Sequence, residues 1–307
     1  MTSTSRPDGG PLDPGLREIM AERRHLTNLA YRMLGSLAEA EDVVQETYAR
    51  WYAMSAERRD AVTNPAAWLT KVASRICLDV LGSARARRER YTGAWIPEPL
   101  PARGEWPGGS PDGADPADRI TLDESVTMAF LVVLDAMTPA ERVAFILHDV
   151  FRYPFAEIAD IVGRTPAACR QLATSARRRI DAARTPATPT AQQARLVRDF
   201  KQAWEAGDIA TLVGLLDPGA TAVGDGGGVV TATLHPVQGA EQIARFFAER
   251  TRPGALAIRE CTVNGQPGLA ARLDGATVAV YAFDVRDGRI GRIWAVLNPA
   301  KLRPWTP

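Results

Sequence analysis

Apolar and polar positions alternate with a helical period through the N-terminal part of the chain. Residues 25–34 place their apolar side chains on one side, and the pattern stops at Gly35. The next four residues, Ser36-Leu37-Ala38-Glu39, have the form of a capping box and predict a second helix. A third helix is predicted from Asn64-Pro65, because asparagine caps a helix and proline fits its first position.

The same signals recur further along and predict a helix-turn-helix. Thr138-Pro139-Ala140-Glu141 is another capping box, and a short helix over 155–162 ends at Gly163. Thr165 and Pro166 then supply the cap and first position of the following helix. Three short helices with a tight glycine turn are the pattern of a DNA-binding unit.

The last third of the chain has a mixed pattern. Helical spacing over 191–206, 209–216 and 239–250 is accompanied by strand-like alternation, clearest at 278–283 and 290–296. Asp287-Gly288 joins those two strands and is a strong hairpin signal. We therefore expect an α+β domain with a curved antiparallel sheet.

Composition divides the chain and limits its class. Of 307 residues, 46% are hydrophobic, and residues 95–116 and 185–190 form two proline-rich breaks. The absence of a long apolar run predicts a cytoplasmic protein without membrane contact. Three widely spaced cysteines and three scattered histidines predict no metal site, and we expect no cofactor.

Charge is concentrated on particular helices. The second helix exposes acids, the third carries Lys71 and Arg75, and the last helix of the helix-turn-helix is strongly cationic. Arginine there suits a phosphate backbone, although a charged run can also be a solvated helix face. We expect base-edge contacts from Arg170 and Gln171 and phosphate contacts from residues 177–179.

Several motifs in the first two parts of the chain resemble extracytoplasmic-function (ECF) sigma factors. Residues 30–36 (AYRMLGS), 40–46 (AEDVVQE) and 64–69 (NPAAWL) resemble conserved region 2 of that family, and the helix-turn-helix stands where region 4 lies. This resemblance implies binding to core RNA polymerase, through its clamp helices and flap, and to promoter DNA.

The resemblance also implies three sets of site residues. The polymerase-binding set is Glu41, Asp42, Gln45 and Glu46. The set for the minus 10 element is Asn64, Trp68, Lys71 and Arg75. The set for the minus 35 element is Arg170, Gln171, Ser175, Arg177, Arg178 and Arg179.

The C-terminal part resembles the NTF2-like cone of the SnoaL type, as found in the ECF41 group of sigma factors. Three segments carry that likeness, at 91–99, 225–228 and 298–302, although Ala94, Val229 and Ala300 depart from the pattern. The resemblance implies control in cis through contacts with region 2 and the linker. The implied contact residues are Trp95, Pro97, Glu98, Asp225, Gly226, Gly227, Gly228, Asn298 and Lys301.

The expected architecture is multidomain: two all-α sigma domains followed by an α+β NTF2-like cone. The expected boundaries are region 2 at 16–92, a linker at 93–120, region 4 at 121–184, a linker at 185–190 and the regulatory domain at 191–307.

Two other interpretations compete with this one. A one-component transcription regulator would also pair a helix-turn-helix with a ligand domain, but it would not need the acidic helix and its aromatic neighbours. An enzyme in the cone would need an acid-base pair, and Asp274, Tyr281, Asp284 and His235 do not form one by spacing. Catalysis is therefore not expected, whereas binding of a small molecule in the cone stays open. For residues 225–228, a plain hairpin turn is the alternative to a contact loop.

Overall fold

The computed structural model describes residues 14–88, 93–102, 126–183, 190–230, 232, 235–250 and 256–305, with the side chains of 14–21 and 84–88 excepted. Expectations for 89–92, 103–125 and 184–189, which include most of both linkers, lie outside the described residues. No helix in the described ranges combines the length and apolar character that crossing a membrane requires.

The three predicted N-terminal helices are present, and the caps at Ser36 and Asn64 are confirmed. The first helix begins at Pro14, earlier than predicted, and a short helix that was not predicted lies between the second and third. The helices are α1 (Pro14–Leu34), α2 (Leu37–Tyr52), α3 (Ala56–Asp60) and α4 (Pro65–Arg88). Ser36 Oγ accepts a hydrogen bond from the amide of Glu39, and Asn64 Oδ1 accepts one from the amide of Ala67 at 3.0 Å. Each cap satisfies a backbone donor that the first helical turn leaves without a partner.

The helix-turn-helix is also present. The three predicted helices of this unit are α6 (Pro139–Phe145), α7 (Phe155–Val162) and α8 (Pro166–Ala183), and α5 (Met128–Asp135), which was not predicted, precedes them. A π-helical turn (Ile146–Val150) extends α6. Thr138 and Glu141 form the full capping box, and Thr165 Oγ1 accepts from the amide of Ala168. Gly163 makes the turn with φ 68°, a conformation that glycine adopts without steric cost.

The two helical units share one hydrophobic core rather than standing apart. Leu29 and Met33 of α1 belong to the same buried cluster as Ile146 and Ile158. Arg142 of α6 crosses between the units, because its Nη1 donates to the carbonyl of Met33 at 2.9 Å. The first and second helical units therefore form a single packed body in this conformation.

The C-terminal domain combines three helices with one sheet. The helices are α9 (Thr190–Ala206), α10 (Ile209–Leu215) and α11 (Ala240–Ala248). The strands are β1 (Leu216–Asp225), β2 (Val237–Gln238), β3 (Leu256–Val263), β4 (Gln266–Leu273), β5 (Ala276–Arg286) and β6 (Arg289–Val296), in the order β2-β1-β6-β5-β4-β3. Helices packed on an open curved sheet form the expected NTF2-like architecture.

The sheet differs from the expectation in one respect, because it is mixed rather than wholly antiparallel. β1 runs parallel to β6, whereas the other neighbouring strands pair antiparallel. Local hairpin signals such as Asp287-Gly288 predict antiparallel pairs only. A parallel pair joins strands that are distant in the chain, so no turn motif announces it.

The two faces of the sheet bury different partners. One face packs against α9 and α11 around Phe200, Trp204 and Phe247. The opposite face packs on Ile96 and on Met128 of α5. The second face therefore carries the contact between the C-terminal domain, the linker and the helical body.

Candidate linker and nucleic-acid interfaces

The linker segment, defined here as residues 94–102, lies buried between the helical body and the C-terminal sheet. Its six consecutive residues 96–101 are all buried. The segment forms a single bridge with β3, at Pro101 and Val263, and the indole Nε1 of Trp305 donates to the carbonyl of Pro99 at 2.8 Å. Because extended backbone has no internal hydrogen bonds, partners on both sides must satisfy its polar groups.

On the sheet side, one buried ion pair holds the start of the linker segment. Asp225 Oδ2 accepts from the amide of Ile96 at 3.0 Å and from Lys301 Nζ at 2.7 Å. Lys301 also donates to the carbonyl of Ile96 and lies 4.1 Å from the ring centre of Trp95. We call Trp95, Ile96, Asp225 and Lys301 the latch. Removing one partner of such a pair leaves an uncompensated buried charge, so the members depend on one another.

Glycines allow the loop after Asp225 to close on the end of β6. A side chain at Gly227 (φ 67°) would place its Cβ 2.5 Å from Asn298 Cγ, and one at Gly226 would meet the carbonyl oxygen of Val230 at 2.0 Å. The main-chain carbonyl of Asp225 accepts from the amide of Asn298 at 3.0 Å. These approaches exclude any larger residue at 226 and 227 without rearrangement, whereas Gly228 is exposed.

On the helical side, Glu98 sits at the N-terminus of α2. Its Oε2 accepts from the amide of Leu37 at 2.8 Å and from Ser36 Oγ at 3.2 Å, and its own amide donates to the carbonyl of Gly35 at 2.7 Å. Burial raises the pKa of Glu98 to about 7, although the hydrogen bonds from Leu37 and Ser36 and the charge of Lys301 lower it in part. Pro97 packs beside it, 3.3 Å from where a Cβ on Gly35 would stand.

Asn264, in the turn between β3 and β4, is a site residue that the sequence did not reveal. Its Nδ2 donates to the hydroxyl of Tyr31 and to the carbonyl of Val126, each at 2.8 Å, and its Oδ1 accepts from the amide of Leu100 at 3.0 Å. Asn264 is fully buried and has φ 52°. Nothing local in the sequence signals its contacts with three distant segments.

The residues expected at the minus 10 element lie together along the start of α4. Trp68 is half-buried against Trp51, with ring centres 5.1 Å apart. Lys71 and Arg75 both reach Asp160 of α7: Lys71 Nζ is 3.0 Å from its carboxylate, and Arg75 Nη2 donates to its carbonyl at 2.7 Å. Asp160 was not singled out in the sequence. Both cations thus face the helix-turn-helix in this conformation.

The residues expected at the minus 35 element divide into two groups. Gln171 and Arg178 are exposed, and exposed Arg170 lies 5.4 Å from the ring centre of Phe155. Ser175 and Arg177 are instead engaged inside the domain. Ser175 Oγ donates to Glu141 at 2.7 Å, Arg177 binds Asp149 through two nitrogens at 2.6 and 3.2 Å, and exposed Arg179 lies 3.9 Å from Glu141.

The predicted polymerase-binding residues of α2 lie mostly at the protein surface. Asp42, Gln45 and Glu46 are exposed, and Glu41 is half-buried. Glu46 pairs with Arg50 one turn later at 2.8 Å, with about half of each side chain exposed. A charged helical surface of this kind is available to a basic partner.

The residues considered for catalysis do not assemble around one site. Asp274 and His235 are exposed, and Asp284 binds Arg286 at 2.8 Å. Tyr281 alone lines the interior cavity of the domain. Within the described ranges, no three His, Cys, Asp or Glu side chains are placed to hold a metal ion.

The helical body has the two conserved units of a bacterial sigma factor. Residues 19–88 match the model of Sigma-70 region 2, and residues 127–180 match the model of Sigma-70, region 4. These units bind core RNA polymerase and recognise promoters, which sets aside the one-component regulator.

The chain belongs to the ECF RNA polymerase sigma factor family. It is 38% identical to the ECF RNA polymerase sigma factor SigJ of Mycobacterium tuberculosis (strain ATCC 25618 / H37Rv), over 92% of each chain. It is 37% identical to the probable ECF RNA polymerase sigma factor SigI of Mycobacterium tuberculosis (strain CDC 1551 / Oshkosh), over 95% of this chain and 96% of that one. The crystal structure of Mycobacterium tuberculosis SigJ superposes with a TM-score of 0.73 at 36% identity, covering 94% of this chain and 98% of that chain.

Proposed function

We propose that the C-terminal domain of this sigma factor binds the linker segment and thereby holds regions 2 and 4 together in a closed, inactive arrangement. The observation that carries the proposal is the contact between the two DNA-binding units, where Lys71 and Arg75 bind Asp160. Positions minus 10 and minus 35 are about 25 base pairs apart, which corresponds to about 85 Å of duplex at 3.4 Å per base pair. Two units that share one core cannot occupy both elements, so initiation requires them to separate.

The C-terminal domain stabilises the closed arrangement through two sets of contacts. The latch fixes the start of the linker segment, and Asn264 ties region 2, the linker segment and the start of region 4 together through Tyr31, Leu100 and Val126. Opening the helical body therefore requires these contacts to change. We assign the regulatory role to Trp95, Pro97, Glu98, Asn298, Lys301 and residues 225–228, with Asn264 added.

Within the opened protein, we propose the following division of labour. The exposed part of α2, Glu41, Asp42, Gln45 and Glu46, binds the clamp helices of RNA polymerase. Asn64, Trp68, Lys71 and Arg75 hold the unpaired minus 10 element, because aromatic and cationic side chains capture unstacked bases. Arg170 and Gln171 contact base edges of the minus 35 element, and Arg178 and Arg179 contact phosphates. Ser175 and Arg177 belong to the same minus 35 set, and their bonds to Glu141 and Asp149 also hold α8 in position.

The residue assignments correspond to three functional units of the chain. We propose region 2 at 16–92, region 4 at 121–184 and the regulatory domain at 191–307. The family is not enzymatic. The described residues that line the cavity of the C-terminal domain include Tyr281 but no carboxylate or histidine.

The test combines a distance measurement with transcription. A donor and an acceptor dye are placed at exposed Arg58 of α3 and exposed Asp181 of α8 in the full chain. We expect high energy transfer in the free wild-type protein and a decrease when core polymerase is added. For Trp95→Ala, we expect lower energy transfer before polymerase is added and more promoter-specific transcript than for the wild type. Arg303→Ala, at an exposed position near the C-terminus, is the control. Low transfer in the free wild-type chain, or no gain of transcription in Trp95→Ala, would contradict the closed arrangement.

A further inference from the structure

The C-terminal domain contains an apolar cavity of about 280 Å³ between its helices and its sheet. Trp204 of α9, Phe247 of α11, Ala271 of β4 and Tyr281 of β5 contribute to the wall. The aromatic rings pack edge to face, with ring centres 4.8 Å apart for Trp204 and Phe247 and 5.2 Å apart for Trp204 and Tyr281. A preformed concave site with aromatic walls is the usual form of a small-molecule pocket.

The described wall includes the hydroxyl of Tyr281 and the guanidinium of Arg250. Burial raises the pKa of Tyr281 to about 12, while the charge of Arg250 acts in the opposite direction, so its hydroxyl stays protonated at neutral pH. Arg250 is exposed, and its guanidinium lies 3.6 Å from the ring centre of Phe246. Among the described lining residues, Arg250 is the only one that carries a charge.

We propose that this cavity binds a compact apolar acid. Its ring system would lie among Trp204, Phe247 and Ala271, and its carboxylate would meet the guanidinium of Arg250 and the hydroxyl of Tyr281. Arginine supplies planar, charge-assisted hydrogen bonds to a carboxylate. Burial of the ring system against the apolar wall is favourable because it removes apolar surface from water. An amine of the same shape would place its charge against Arg250 and is excluded.

The cavity shares part of its wall with the loop that forms the latch. Val230 and Leu297 both line the cavity. The amide of Val230 donates to the carbonyl of Gly226 at 3.0 Å, and the amide of Leu297 donates to the carbonyl of Asp225 at 2.7 Å. The wall and the loop are therefore one hydrogen-bonded unit. A ligand that fits the cavity as it stands in the latched protein stabilises the latched arrangement, since it binds that state preferentially.

Binding to the cavity is independent of the proposed control of transcription, and only the regulatory consequence rests on it. The first experiment is calorimetric titration of the full chain with naphthalene-2-carboxylate and with the uncharged 2-naphthamide. We expect the carboxylate to bind and the amide to bind about tenfold more weakly, because a charge-assisted hydrogen bond is lost. Absence of binding by both compounds, or equal affinity for both, would overturn the assignment.

Three variants locate the binding. Arg250→Gln should weaken the carboxylate about tenfold and leave the amide unchanged, whereas Arg245→Gln, at an exposed position of the preceding helix α11, should change neither. Ala271→Leu should fill the cavity and abolish binding, with its far-ultraviolet circular dichroism recorded as a check of folding. Unchanged affinity of the Arg250→Gln variant for the carboxylate would place the ligand elsewhere. Because Arg250 is exposed, its replacement should not disturb folding, so this result can be interpreted even if Ala271→Leu does not fold.

The second experiment measures the coupling. Hydrogen exchange of the Ile96 amide, which is bonded to Asp225, should slow when naphthalene-2-carboxylate is bound. Reciprocally, Trp95→Ala, which lies outside the cavity wall, should weaken binding of the carboxylate, by at most the factor by which the ligand strengthens the latch. Binding with no change at Ile96 would retain the ligand site but refute its coupling. Neither readout uses transcription, so failure here is distinct from failure of the proposed function.

Discussion

The side-chain amide of Asn264 donates a hydrogen bond of 2.8 Å to the hydroxyl of Tyr31, although 233 positions separate the two residues in the chain. The Tyr31 hydroxyl in turn donates to the carbonyl of Glu98 at 2.8 Å. Region 2, the linker segment and the C-terminal sheet thus meet in one buried chain of hydrogen bonds. Such a network is costly to interrupt, because each buried group that loses its partner remains desolvated.

Replacing Asn264 by glycine should lower the free energy of unfolding by about 2 kcal/mol, since the buried amide of Leu100 and carbonyl of Val126 lose their partner. Glycine tolerates the positive φ of this turn, so the effect reports the side chain. Urea unfolding measures it. Asp274→Gly, in an exposed turn with φ 48°, is the matched control and should change stability little. Equal effects of both changes would show that Asn264 acts through its backbone alone.

The linker contact should depend on pH through Glu98. Because its folded pKa of about 7 exceeds its ordinary value of 4.5, the docked state favours the protonated carboxyl. Its contribution is fully present below about pH 4.5 and is lost as the pH rises through about 7. We expect the stability of the wild type relative to Glu98→Gln to fall between pH 5 and pH 8, by on the order of 3 kcal/mol in total. A difference that is constant with pH would contradict this prediction.

Asp160 should restrain the minus 10 surface. Asp160→Asn removes the charge that faces Lys71, so binding of single-stranded minus 10 DNA by the free protein should strengthen up to about fivefold, the limit set by an exposed ion pair. Fluorescence anisotropy with a labelled oligonucleotide measures the affinity. Glu157→Gln removes an exposed acid from the same helix and serves as the control. Equal gains in both variants would indicate a general charge effect.

Reversing charge on α2 should separate polymerase binding from DNA binding. Asp42→Lys combined with Glu46→Lys places two cations where the clamp helices are expected to dock, and we expect loss of binding to core polymerase in a pull-down assay. Duplex binding by α8 should be unchanged. Glu241→Lys is the control, because Glu241 belongs to a similarly exposed pair with Arg245 on the C-terminal domain. Retained holoenzyme assembly in the double variant would refute this assignment.

Two arginines of α8 should differ in what they read. Arg178→Ala should weaken all DNA sequences alike and reduce the slope of affinity against salt by about one unit, as expected of a phosphate contact. Arg170→Ala should instead relax the preference at one base pair of the minus 35 element. Binding to a panel of single-base variants at several salt concentrations distinguishes the two. A changed sequence preference in Arg178→Ala would show that it contacts bases.

The predictable parts of the structure were those with local causes. Ser36, Asn64, Thr138 and Thr165 each cap the helix that was predicted, because a cap is recognised within four residues of sequence. The hairpin at Asp287-Gly288 was predictable for the same reason.

What escaped prediction depends on contacts between distant segments. Asp160 appeared as one more acid on a short helix, and only the packing of α7 on α4 brings it to Lys71. The parallel pairing of β1 with β6 likewise follows from tertiary structure rather than from a turn. The bonds that Asp225 makes with Ile96 and Lys301 were predicted only in part. The family resemblance indicated that residues 225–228 form a contact loop, and the structure identifies the residues that Asp225 binds.

The linker segment has consequences for how such proteins can be recombined. Its residues are held by Gly35 and Leu37 on one side and by Asp225, Asn264 and Trp305 on the other. The C-terminal domain therefore cannot be transferred by itself to another sigma factor and keep these contacts. A chimera that attaches it to another sigma factor must also transfer Tyr31, Gly35 and residues 94–102, because these contact residues lie far upstream of the domain in the chain.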